Sequence, residues 1–188
     1  MTDYISDTNI VTPTDWEQQK TMIKVIGVGG GGCNAVTYMY RQNIQGCGFV
    51  VCNTDSQALL KSDVPVKLQL GNGLGAGTDP DLARKAAIDC QDEILARITE
   101  GGTRMLFITA GLGGGTGTGA SPVIARLAKE NGILTVAVVT LPFRNEGRLA
   151  LSKAADGIHE LERTVDSRLI INKQKLYDHL RDERGQNA

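Results

Sequence analysis

The run Gly113-Gly114-Gly115-Thr116-Gly117-Thr118-Gly119 concentrates more potential chemistry than any other stretch of this 188-residue chain. It follows Arg104 to Ala110 (RMLFITA), an apolar run of strand length, and precedes Val123, Ile124, Leu127 and Ala128, which fall on one helical face. Glycines placed there let successive amide N–H groups approach an anion, and the helix N-terminus adds partial positive charge. Thr116 and Thr118 bring hydroxyls suited to phosphate oxygens or a metal. Pro122 is expected in the first helical turn, where its missing N–H is harmless. A Walker A loop ends in Gly-Lys-Ser/Thr, but no lysine follows these glycines until Lys129. A polyphosphate is therefore expected to be neutralised by amides, the helix dipole and a bound Mg²⁺.

A second cluster begins where Met22 to Val28 (MIKVIGV) reads as a strand running into Gly29-Gly30-Gly31-Gly32-Cys33-Asn34, then a helix through about Gln42. Gly27 to Gly32 satisfies G-x-G-x-x-G, the dinucleotide fingerprint, and Asp55 after the second strand supplies the acid that would hold a ribose. An NAD- or FAD-binding oxidoreductase is the alternative that follows. It leaves the Gly113 to Gly119 loop without a role.

Taken together, these motifs resemble the tubulin/FtsZ family of GTP-dependent filament proteins. Lys24 to Gly32 with Asn34-Ala35-Val36 resembles the family's first loop, Asn53 to Leu59 its second, and Gly73-Leu74-Gly75-Ala76-Gly77 its third, which senses the terminal phosphate. Gly113 to Gly119 resembles its signature, and Pro142-Phe143 with Glu146-Gly147 its fifth loop; the similarity runs from about Ile23 to Asp166. The resemblance implies GTP or GDP as ligand, with Mg²⁺ held through the phosphates. The implied contacts are Gly30, Gly31, Gly32, Cys33 and Asn34, then Gly75, Ala76 and Gly77, then Gly114, Gly115, Thr116, Gly117, Thr118 and Gly119. Asn34 would touch the base, and Glu146 would accept hydrogen bonds from the ribose.

The same resemblance implies head-to-tail self-association into filaments in the cytoplasm at the division site, together with other cell-division proteins. Hydrolysis would be completed in trans by an acidic loop of the next subunit. That loop and the second domain lie beyond Ala188, where the family's central helix is expected to begin, so this chain alone is expected to bind without turnover. The alternative within the family is a module that caps or regulates filaments. Three positions depart from the family pattern: Ala150 in place of an arginine, with Arg148 nearby; Asn145 in place of Phe; and Lys173 in place of the asparagine that ends the sixth strand, with Asn172 one residue earlier.

The elements that must position these residues follow from periodicity. Strands are expected near 22–28, 49–52, 66–70, 104–110, 133–140 and 168–171, and helices near 33–42, 80–99, 119–131 and 149–164, with a short charged helix after 173. Their alternation predicts an α/β fold, a Rossmann-like and mostly parallel sheet with helices on both faces. Asp79-Pro80 should open the helix that follows the third loop as cap and first residue, and Leu82, Ala86, Cys90, Ile94 and Ile98 should form its buried stripe. Residues 1–20 are expected to be a flexible arm, and residues 21–188 the nucleotide-binding domain.

Composition narrows the function classes. With 20 basic and 21 acidic residues the net charge is −1, which argues against a nucleic-acid partner. No stretch approaches the roughly 20 apolar residues of a membrane span, so no direct membrane insertion is expected. Cys33, Cys47, Cys52 and Cys90 form no C-x-x-C pair and read as reduced thiols. His159 and His179 have no spaced partner that would make a metal site or a nucleophile pair, and no catalytic constellation is visible.

Overall fold

Valine- and isoleucine-rich runs become strands because β-branched side chains pack well on a pleated surface. The computed structural model describes residues 22–185, so the arm expected over residues 1–20 lies outside the described part. Its strands are β1 (Ile23–Val28), β2 (Gly48–Asn53), β3 (Lys67–Gln69), β4 (Met105–Gly111), β5 (Leu134–Leu141) and β6 (Ser167–Asn172). They form one parallel sheet in the order β3-β2-β1-β4-β5-β6. The expected Rossmann-like architecture is the one observed.

Helices cover both faces. The alternation of β1 sends Val25 to one side, where it packs with Cys33 and Val36 of α1 (Gly29–Arg41), Val51 of β2 and Leu59 of α2 (Ser56–Leu60). Ile26 and Val28 point to the other side and join Leu106, Ile108 and Ala137 in the larger core. That core is closed by α3 (Pro80–Asp89), α4 (Gln91–Thr99), α5 (Thr116–Glu130) and α6 (Arg148–Thr164), and α7 (Lys173–Gly185) follows β6. On the α1 side an apolar groove of about 570 Å³ remains, lined among others by Met39, Phe107, Val138 and Ile171.

Several elements depart from expectation for physical reasons. Both glycine runs are helical at their ends, so α1 starts at Gly29 rather than near residue 33, and α5 at Thr116 rather than near 119. Gly29 makes the turn out of β1 with φ +70°, a conformation open to glycine. Because α5 starts early, Pro122 lies in its second turn, not its first, and leaves the Thr118 carbonyl without its helical amide donor. The segment 80–99 is two helices meeting at Cys90 (φ −104°, ψ 17°). Of the expected stripe, Ile94 and Ile98 are fully buried and Ala86 and Cys90 pack against the core, but Leu82 is 52% exposed and Ala83 and Ala87 are buried as well. Here α3 approaches α5 so closely that a Cβ on Gly119 would overlap the Pro80 carbonyl, and alanine fits such a seat where leucine does not. The last helix is longer than expected, and α2 was not anticipated.

Candidate phosphate-binding site

The strand order reverses direction between β1 and β4, and ligands of open α/β sheets bind outside the strand ends at such a switch point. The chain leaves β1 into α1 and β4 into α5, so both glycine-rich entries meet there. They touch: a Cβ on Gly29 would stand 2.9 Å from the Gly117 amide nitrogen, and one on Gly31 would stand 3.3 Å from the Gly111 Cα. Neither helix has a side-chain cap or an acidic residue in its first turn. Their leading amides, which have no intrahelical acceptor, and both positive dipole ends therefore converge on one place.

The third glycine loop is fastened to this pair by Thr54, a residue absent from the sequence-derived contact set. Thr54 Oγ1 accepts the Ala76 amide at 2.9 Å and lies 2.7 Å from Thr116 Oγ1, while its carbonyl accepts the Gly75 amide at 2.9 Å. Gly115 donates to the Gly77 carbonyl at 3.3 Å. The signal in the sequence is a hydroxyl residue just past a buried strand end, where an unpaired polar group would be costly.

The glycines divide into two kinds. A Cβ on Gly32 would overlap the Thr109 carbonyl, one on Gly117 the Gly111 carbonyl, and one on Gly115 would stand 2.8 Å from the Gly77 carbonyl. Those positions, with Gly119, serve the packing of backbone on backbone. At Gly30, Gly77 and Gly114 a Cβ would meet nothing, and all three are exposed. The threonine hydroxyls are buried and already engaged, Thr116 with Thr54 and Thr118 as acceptor of the Gly113 amide at 2.9 Å. They brace the loop, and each hydroxyl keeps further hydrogen-bonding capacity beyond these contacts. Cys33 is likewise turned inward, its Sγ 3.4 Å from the Cys52 carbonyl, and burial pushes its thiol up to about 11. Asn34 is exposed and borders a cavity of about 290 Å³ with Tyr38, Arg41 and Lys61.

Glu146 lies apart, after β5, in a 3₁₀ turn over Arg144–Glu146. Its Oε1 accepts the Phe143 amide at 2.7 Å and Lys173 Nζ at 3.1 Å. The Phe143 N–H favours the carboxylate most, partial burial opposes it, and Lys173 adds to it, so that its pKa is lowered. Oε2 keeps its acceptor capacity. Lys173 also sits 4.6 Å from the centre of the Phe143 ring, which meets Tyr177 edge-on at 6.5 Å. The departure at 173 thus ties the fifth loop to α7. Asn172 itself ends β6 and caps α7, its Oδ1 accepting the Lys175 amide at 3.1 Å, so an asparagine does stand at the strand end. Arg148 is exposed at the first position of α6, shortly after Glu146 along the chain, and Ala150 follows it on that helix.

Asp55, the acid required by the dinucleotide alternative, is the N-cap of α2 and accepts the Gln57 and Ala58 amides at 2.9 and 3.2 Å. Among the described residues no group of three or more His, Cys, Asp or Glu is placed to hold a metal, and no helix is long and apolar enough to cross a membrane. The four cysteines are free thiols.

Fold and site together define a doubly wound α/β domain of the nucleotide-binding class. The chain matches the Tubulin/FtsZ family, GTPase domain, over residues 22–181. It is 49% identical over 171 residues to cell division protein FtsZ of Porphyromonas gingivalis, covering 89% of this chain and 37% of that protein. To the Coxiella burnetii FtsZ it is 54% identical over 162 residues, covering 84% and 42%. Among solved structures, an FtsZ dimer from M. jannaschii aligns with a TM-score of 0.81 at 40% identity, covering 89% of this chain and 51% of that one. A GTPγS-bound protofilament of CetZ2 from Haloferax volcanii aligns at 0.72 and 28%, covering 80% and 48%. This chain belongs to the tubulin/FtsZ family. It spans less than half the length of the two bacterial relatives.

Proposed function

We propose that the domain binds GTP or GDP as the nucleotide-binding part of an FtsZ-like cell-division protein, with the phosphates on the amides of the three glycine loops. The observation that carries this reading is the contact of two uncapped helix N-termini at the switch point, with Gly30 and Gly114 open to a ligand. Backbone of Gly30 to Asn34, Gly75 to Gly77 and Gly114 to Gly119 would hold the phosphates, and Asn34 and Glu146 would take the base and ribose. Mg²⁺ would enter on the phosphate oxygens, supplying charge neutralisation where no metal-holding cluster stands among the described residues. The protein's own part is to orient the polyphosphate and shield it with fixed dipoles.

Head-to-tail assembly at the division site, with hydrolysis completed in trans, is the corresponding reading for the filament. The carboxylate of Asp55, the acidic residue beside Gly75 of the third loop, is engaged as the cap of α2, and a capping role without turnover is the second reading. Thermal denaturation tests the ligand class. GTP or GDP with Mg²⁺ should raise the midpoint by mass action, adding about 2.7 kcal/mol of stability at a hundredfold excess over Kd. NAD and FAD should leave it in place, and a larger shift with either dinucleotide would overturn the proposal.

A further inference from the structure

The glycine loops carry no lysine of their own, but the fold brings one to them from α6. The α6 face formed by Ala150, Lys153, Ala154 and Gly157 lies along the phosphate loop. A Cβ on Gly113 would stand 3.0 Å from the Ala150 carbonyl, Ala154 is fully buried, and a Cβ on Gly157 would stand 2.8 Å from Thr118 Cγ2. Lys153 shares this face at helical spacing and extends to the third loop, where its Nζ donates to the Thr78 carbonyl. Thr78 directly follows Gly77, whose carbonyl takes the Gly115 amide at 3.3 Å. The ammonium therefore sits beside the seam where the third loop meets the entry of α5. It has no carboxylate partner among the described residues, whereas Arg84 of the neighbouring α3 is paired with Asp81 and Glu160.

We infer that Lys153 is a phosphate-binding residue, the cation that turns these lysine-free loops into a neutralised polyphosphate site; the inference rests on the nucleotide reading above. An ammonium held by a single backbone carbonyl keeps two further N–H donors and its whole charge for an anion. A flexible stem lets it follow the phosphates, as a point charge does in lysine-containing phosphate loops.

Calorimetric titration of the intact chain with GMP, GDP and GTPγS, at several salt concentrations, tests this. Lys153→Met should weaken GTPγS binding by about tenfold, with a smaller loss for GDP and the smallest for GMP, and should flatten the salt dependence. Lys153→Arg should restore both. Lys153→Gln, which keeps a donor but no charge, should behave as Lys153→Met and serves if the methionine variant does not fold. Equal losses for all three nucleotides, or an unchanged salt dependence, would make Lys153 a loop support and overturn the inference. Wild-type protein that binds GDP and GTPγS alongside an indistinguishable Lys153→Met overturns the inference alone. Wild-type protein that binds no nucleotide overturns the reading beneath it as well.

Discussion

At each glycine of the loops, the question is what a single added carbon would touch. Gly117 is seated on the Gly111 carbonyl and Gly119 on the Pro80 carbonyl, so a side chain there must push two backbones apart. Gly114 faces open space. Gly117→Val is therefore expected to destabilise the fold by several kcal/mol, through overpacking at a backbone contact that cannot yield. Gly114→Val is expected to keep the wild-type thermal midpoint within a few degrees and to lose nucleotide affinity, because the branched carbon occupies the ligand's approach. Denaturation curves paired with GDP titrations check both. A folded Gly114→Val with wild-type affinity would show that the phosphates lie elsewhere. Sequence reading alone placed both glycines in one class, since which backbone folds back onto a glycine is not written in the local run.

Elements show the same division between local and distant causes. The start of α3 was legible because Asp79 and Pro80 are adjacent and their roles are local: Asp79 Oδ1 accepts the Asp81 and Leu82 amides at 2.9 and 3.4 Å. Asp79→Ala should lower stability by about 1 kcal/mol, and Asp79→Asn should restore most of it, as read by urea unfolding. Leu82 departs from the expected stripe because Ala83 and Ala87 take the close seat of α3 on α5. Leu82→Ala is consequently expected to be nearly neutral, and Ala83→Leu to cost about 1–3 kcal/mol. A large loss on Leu82→Ala would mean that this helix is turned from the orientation described.

For the whole molecule, the proposed nucleotide face lies at the strand ends where the three glycine loops meet. Heterologous, head-to-tail contact puts different surfaces of two subunits together. On the proposed reading, the nucleotide face accepts a different surface of a neighbouring subunit, which brings the acidic loop. Phosphate release by the purified chain should be negligible. It should rise on addition of an FtsZ whose own nucleotide pocket is disabled but whose acidic loop is intact, and stay flat with a loop-dead partner. Release that scales with the chain's own concentration and ignores the partner would place the full active site within these residues.

What the sequence determined by itself is the class of fold and the kind of site. Strand and helix periods, the two glycine runs and the Asp-Pro helix start are properties of neighbouring residues, and they suffice to predict a parallel sheet with anion-binding helix entries. Only the tertiary structure decided which glycines are open, that Thr54 joins the second and third loops to α5, that Glu146 is shared with Lys173, and that Lys153 reaches Thr78. Each of these is a contact between segments far apart in the chain. Parallel strands joined through helices bring such segments together at the strand ends, and no local pattern specifies which backbone or charge arrives there.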